Sequence, residues 1–169
     1  ADFYLSVNIS PRDFYYMDIY KVFTQLVQKH GFEAKNLHLE ITETAVMSDT
    51  KKVIRLVNKL RQYGFKVEMD DFGSGYSSLN MLKDIKMDTI KLDMGFLRKT
   101  RNNERSMSIV SNVIHLSKRL GMEVVTEGVE TREQVDALTM MGCDVFQGYY
   151  FAKPMSVWDY EDKYISTEG

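Results

Sequence analysis

The sequence predicts an α/β fold of about six βα units around a parallel sheet, and three observations carry that expectation. Apolar, β-rich runs alternate with helical stretches along the whole chain. Four of the helical stretches close on a glycine with an apolar residue behind it, at Gly31-Phe32, Gly64-Phe65, Gly121-Met122 and Gly142-Cys143. Polar or charged residues recur at the C-terminal ends of the β-rich runs. Six units are more than most doubly wound sheets need and fewer than a complete eight-unit barrel holds.

The elements follow in order. Leu5 to Ile9 reads as the first strand, and the run Ala1-Asp2-Phe3-Tyr4-Leu5 leads into it so abruptly that a cut inside a fold is expected. Gly31 stops the next helix, because a glycine after the last turn takes the left-handed conformation at little cost. Leu37 to Thr42 is the second strand. Ser48 is then a candidate N-cap for a helix with Val53, Val57 and Leu60 on one face. Phe65 to Met69 and Thr89 to Leu92 are the third and fourth strands. Met107, Val110, Val113, Ile114 and Leu120 form an apolar helical stripe before the fifth strand, Glu123 to Thr126. Thr131-Arg132-Glu133-Gln134 has the form of a capping box leading to Val135 and Leu138. Val145 to Phe151 closes the series. These stripes are expected to pack a core and not to bind a partner. The only prolines are Pro11 and Pro154, and no linker divides the chain, so residues 1–169 are expected to form a single domain.

Bulk properties narrow the function. The 169 residues are 44% hydrophobic and 27% charged, ordinary for a globular protein. A net charge of −2 offers no basic field for a nucleic acid backbone, so no nucleic acid polymer is expected as a partner. The single cysteine, Cys143, excludes an internal disulfide and fits a reducing cytoplasm. No apolar run is long enough to span a bilayer, and the N-terminus lacks the zones of a signal peptide.

The chemistry centres on Lys66-Val67-Glu68-Met69-Asp70-Asp71-Phe72-Gly73-Ser74-Gly75-Tyr76-Ser77-Ser78-Leu79, where a strand runs into two adjacent carboxylates and a glycine-flanked loop. Paired acids there suit a hard divalent metal, or else a turn residue followed by a helix cap. The strand ends carry, in order, Asn8, Glu40 with Glu43, Asp70 with Asp71, Lys91 with Asp93, Glu127 with Glu130, and Gln147. A parallel α/β fold brings such ends to one face. Oxygen ligands from Asn8, Glu40, Asp70 and Asp71, a fixed charge at Lys91, and water-holding groups at Glu127 and Gln147 suit two-metal hydrolysis of a phosphate ester. Singly, each also fits a plainer role: Glu40 or Glu127 as a cap or surface acid, Lys91 as the partner of Asp93, Asn8 in an Asx turn. His30, His38 and His115 lack ligand-like spacing, and His38 alternates with Leu37 and Leu39 in a strand, so none reads as catalytic. Cys143 reads as a packed thiol. Gly73-Ser74-Gly75 lacks the spacing of a P-loop and reads as a mobile loop, with Glu43 a candidate to anchor it.

Six runs together resemble one family. They are Ser6-Val7-Asn8-Ile9-Ser10, Glu40-Ile41-Thr42-Glu43, Asp70 through Leu79, Ile90-Lys91-Leu92-Asp93, Glu127-Gly128-Val129-Glu130, and Gln147-Gly148-Tyr149-Tyr150-Phe151-Ala152-Lys153-Pro154. In this order they resemble the EAL domain, the cyclic di-GMP phosphodiesterase family. The resemblance implies a TIM-like (β/α)8 barrel, here truncated to about six βα units, that binds two Mg2+ or Mn2+ ions and hydrolyses cyclic di-GMP to linear pGpG. By matching position, Asn8, Glu40 and Asp70 are implied as ligands of one metal, and Asp71 as a ligand of the second, with Glu127 acting there directly or through water. Lys91 is implied to contact the attacking water, Gln147 to position it, and Glu43 to steady the loop after the aspartates. Asp71, Lys91, Gln147 and Pro154 are implied to meet the substrate. A homodimer is also implied, as are sensor or cyclase-type domains elsewhere in the parent protein.

The Glu-Ala-Leu run that names the family is absent, and Glu33-Ala34-Lys35 lies in the wrong place to replace it. The chain is therefore expected to be the C-terminal portion of such a domain, unstable or pairing with another chain if isolated. The competing reading is a catalytically inactive EAL-like module that senses cyclic di-GMP or binds a protein. A purely structural domain would leave the strand-end polar set unexplained.

Overall fold

A computed structural model describes residues 3–73, 78–93 and 103–165. Six parallel strands pair in chain order: β1 (Leu5–Ile9), β2 (Leu37–Thr42), β3 (Lys66–Phe72), β4 (Thr89–Asp93), β5 (Glu123–Glu127) and β6 (Val145–Gln147). The helices are α1 (Asp13–Tyr16), α2 (Ile19–His30), α3 (Glu43–Ser48), α4 (Thr50–Tyr63), α5 (Ser78–Asp84), α6 (Asn103–Arg119), α7 (Arg132–Met140) and α8 (Val157–Tyr160). Parallel strands require crossovers, and strands joined in sequence order by helices are the construction of a TIM-type barrel, as expected.

Alternation along the strands divides the sheet into two unlike faces. Leu39, Ile41, Val67, Met69, Ile90, Leu92 and Val124 are buried in the apolar layer. Into that layer pack Val53, Val57 and Leu60 of α4, Val110 and Ile114 of α6, and Leu138 of α7. The opposite face carries Ser6, Asn8, His38, Glu40, Glu68, Asp70, Lys91, Glu127 and Gln147. Apolar stripes therefore build the core, and the polar face is left for chemistry.

Four local expectations change. Asp49, not Ser48, caps α4, its carboxylate accepting from the Lys52 N–H at 3.1 Å, while the Ser48 hydroxyl donates to the Ala45 carbonyl. Leu120 leaves the apolar stripe, 52% exposed, because α6 ends one residue before it. β3 continues past Met69 to Phe72, so both aspartates lie inside the strand. β6 stops at Gln147, after which Phe151 and Ala152 donate to the Gly148 carbonyl and turn the chain. The capping box at Thr131 is present, with Gln134 reciprocating. No described helix is long and apolar enough to cross a membrane.

At the N-terminal ends of the strands, Asp88 joins three neighbours. Its carboxylate accepts from Arg61 at 2.9 and 3.1 Å and from the Val67 N–H at 3.0 Å, with Lys66 Nζ at 3.5 Å. Burial alone raises the Asp88 carboxyl, but these hydrogen bonds and charges outweigh it and hold its pKa below the ordinary value. A folded-state pKa below the unfolded one adds stability that is present above the unfolded pKa and is lost as pH falls through the folded one. Asp88→Ala should therefore cost about 1–3 kcal/mol at neutral pH, and the gap from wild type should close in strongly acidic buffer. Urea unfolding at both pH values checks this; a gap that stays constant would remove Asp88 from the acid response.

Candidate active site

At the C-terminal ends of the strands the polar face opens into a cavity of about 460 Å3, lined by Tyr4, Ser6, Asn8, Glu40, Glu68, Asp70, Lys91, Val125, Glu127 and Gln147. Its hub is Lys91, only 5% exposed on the central strand β4. Nζ lies 2.9 Å from Glu40 Oε2, 2.7 Å from Glu127 Oε1 and 3.5 Å from Asp70 Oδ1. Asp93, the partner that sequence proximity suggested for Lys91, is on the same strand but is not among these contacts.

One ammonium thus faces three carboxylates. Burial pushes the Lys91 pKa down, but hydrogen bonds and charge from Glu127 and Glu40 outweigh it and lift the pKa well above the usual lysine value. Lys91 therefore stays charged across the neutral range. The Glu127 carboxyl moves up: burial raises it, Asp70 and Glu40 add repulsion, and Lys91 only partly offsets them. The site holds more negative charge than its lysine neutralises.

β3 accommodates Asp71 through a shift in its pairing with β4. Neighbouring residues in a regular strand point to opposite sides, so Asp70 and Asp71 could not both serve one site. Between Met69 and Phe72 the pairing of β3 with β4 shifts register, and Asp71 takes φ 55°, the only positive φ outside glycine among the described residues. Its N–H donates to Asp70 Oδ1 at 3.0 Å. Burial, then the charges of Asp70 and Asp93, raise the Asp71 carboxyl against the pull of Lys91.

Asn8, Glu40, Asp70, Lys91, Glu127 and Gln147 therefore meet in one cavity, as the strand-end pattern predicted. Asp71 is exposed and is not among the lining residues. Glu43 is 1% exposed in the first turn of α3, and the residues 74–77 it was expected to anchor lie outside the described residues. Pro154 is exposed beyond β6 and does not line the cavity. Sequence reasoning gave no role to Glu68, which lines the cavity, nor to His38, whose Nδ1 lies 2.5 Å from Glu68 Oε1. Period-two spacing held the clue: Glu68 lies two residues before Asp70, and His38 two before Glu40.

Among the described residues no three His, Cys, Asp or Glu side chains are gathered at metal-ligand spacing. Lys91 Nζ occupies the point on which the Glu40, Asp70 and Glu127 oxygens converge. The donors themselves, carboxylates with one carboxamide, are the hard oxygen set that suits Mg2+ or Mn2+. By that chemistry the residues fit a divalent ion.

Known proteins resemble this chain along most of its length. The EAL domain family model matches residues 1–154. The chain is 34% identical over 155 residues to the bifunctional diguanylate cyclase/cyclic di-GMP phosphodiesterase MucR of Pseudomonas aeruginosa, covering 92% of this chain and 23% of MucR. It is 36% identical over 151 residues to the cyclic di-GMP phosphodiesterase RocR of the same organism, covering 89% of this chain and 38% of RocR. The chain thus spans only about a quarter to two-fifths of these relatives. A structure of the MucR phosphodiesterase in complex with c-di-GMP superposes with a TM-score of 0.84 at 32% identity, covering 92% of this chain and 63% of that one. The manganese/c-di-GMP complex of Klebsiella pneumoniae BlrP1 gives 0.82 at 32% identity, covering 89% of this chain and 39% of that one.

Proposed function

This chain belongs to the EAL domain family, and from that footing we propose that it is the C-terminal portion, residues 1–169, of a cytoplasmic domain that hydrolyses cyclic di-GMP to linear pGpG. The observation that carries the reading is the convergence of Glu40, Asp70 and Glu127 on the buried Lys91 at the ends of parallel strands. Random surface acids would not follow the strand register.

Asn8, Glu40 and Asp70 would hold one Mg2+ or Mn2+ ion, with Asp71 and Glu127 at a second. Bound there, such ions supply acidified water and charge neutralisation for in-line attack on phosphorus. The protein's own groups do the rest. Lys91, charged across the neutral range, steadies the incoming hydroxide and the anionic phosphoryl oxygens. Gln147 orients the water with its carboxamide. Glu43 steadies the loop after the aspartates, and Pro154 meets the substrate at the rim. Each ligand position of the family pattern that falls within this chain keeps its donor, which favours an enzyme over an inactive sensor. A homodimer, with sensor or cyclase-type domains elsewhere in the parent protein, completes the reading.

Manganese-dependent hydrolysis of cyclic di-GMP by the intact domain in its parent protein, measured beside Asp70→Asn, tests the proposal. Loss of one carboxylate ligand should lower the rate at least about 100-fold. Equal rates would sink the assignment.

A further inference from the structure

Resting on the metal reading of this site, we infer that His38 and Glu68 form a positioning pair that turns a surplus carboxylate out of the metal pocket and leaves Glu40 as the ligand. The strand register sets the problem. Asn8 pairs with Glu40, and Glu40 with Glu68, so two acids stand side by side on neighbouring strands of the polar face. Both are nearly inaccessible, Glu40 at 6% and Glu68 at 2%. Both also line the cavity that holds Lys91. Either carboxylate could claim the lysine or an ion in its place.

The side chains settle the competition. Among the described residues, the ion-pair partners of Lys91 are Glu40, Asp70 and Glu127, and Glu68 is not one of them. Glu68 reaches diagonally back along the sheet instead, to His38 Nδ1 at 2.5 Å and the Ser6 hydroxyl at 3.4 Å. Ser6 and His38 are cross-strand partners, and His38 lies two residues before Glu40, on the side of the cavity away from the strand ends. The Tyr4 ring stacks on the imidazole at 3.9 Å between centroids and 9° between planes, fixing the orientation of His38. The Nδ1···Oε1 contact ties the Glu68 carboxyl to the imidazole whichever atom carries the proton. Carboxylate–histidine contacts behind a metal are a familiar orienting device. Here the device works by subtraction, since the histidine restrains an acid that is not itself a ligand.

The test is Mn2+ binding by calorimetric titration to the full-length protein, with circular dichroism as the check on folding. His38→Leu frees Glu68 and should weaken or distort Mn2+ binding about 10–100-fold. His38→Gln, which keeps an N–H donor, and His38→Leu/Glu68→Gln, which removes the freed charge, should both return to within about threefold of wild type. Glu68→Gln alone should stay within the same range, whereas Asp70→Asn should not. If His38→Leu does not fold, the comparison of Glu68→Gln with Asp70→Asn decides. Glu68→Gln falling as far as Asp70→Asn would make Glu68 a ligand and overturn the inference. So would a His38→Leu protein that binds like wild type, or a double variant as weak as the single. Absence of Mn2+ uptake by the wild-type protein would instead overturn the metal reading of the site, and this inference with it.

Discussion

Replacing Lys91 with methionine should leave the metal-free protein about 3–5 kcal/mol less stable. Methionine keeps most of the apolar stem but removes the cation that, among the described residues, pairs with Glu40, Asp70 and Glu127. With Lys91 at 5% and Glu40 at 6% exposure, water makes up only part of the lost ammonium. Removing one member of a buried ion set costs far more than the set contributes net, because the survivors stay desolvated and repel one another. The pH dependence follows from the direction of the remaining pKa values. Glu127 already sits above its ordinary value with the lysine present, and losing the lysine must lift it further. A folded acid with a raised pKa binds protons more tightly than the unfolded chain does, so the deficit should shrink as pH falls toward 5. Millimolar Mn2+ should also recover part of it, since a bound cation stabilises only the folded form. Urea unfolding in chelator at pH 8 and pH 5, then with Mn2+, measures all three effects. An unmoved midpoint in chelator would mean that Lys91 is not the internal counter-ion.

The second large effect is at Gly148. A Cβ built there would lie 2.1 Å from the Val129 carbonyl oxygen and 2.4 Å from its nitrogen, both rigid backbone atoms. Those atoms are already engaged, Val129 N–H donating to the Gln147 carbonyl and the Val129 carbonyl accepting from Tyr150. Gly148→Ala must push the end of β6 away from the loop after β5, at a cost of about 3 kcal/mol. Gln147 moves with it, so the rate should fall even in the fraction that folds. Gly31→Ala makes the contrast. There the penalty is the left-handed backbone at φ 65° with open space around it, and about 1–2 kcal/mol with unchanged activity is expected. Comparable losses at the two glycines, by thermal unfolding, would refute the close-approach argument.

Much of this could be read from residues. β1 and β2 have the predicted bounds because Leu5–Ile9 and Leu37–Thr42 are flanked by clear stops and alternate cleanly. The strand-end polar set was legible because parallel topology turns sequence order into spatial neighbourhood. What stayed hidden depends on side-chain direction. Nothing in the chain order says that Lys91 bonds to Glu40 and Glu127, from strands on either side, in preference to nearby Asp93. His38 reads as one polar residue among leucines until the fold sets its Nδ1 beside Glu68 of the cavity lining. The apolar run ends at Met69 in the sequence, so the aspartates read as following the strand, and the register shift is what fits both into β3.

That shift also governs Phe72. Met69 pairs with Ile90 in apolar company, so an unbroken ladder would set Phe72 opposite Asp93 and turn its ring toward the acids. Because Asp71 is left out of the count, Phe72 pairs with Leu92 and is buried at 3%. The extra residue therefore adds a carboxylate beside Asp70 without turning Phe72 out of the core. A chain selected only for an ideal ladder would delete it, gaining regularity while giving up the second carboxylate. The kink marks a place where ladder regularity gives way, and stability engineering guided by backbone ideality would remove a carboxylate that the proposed function uses.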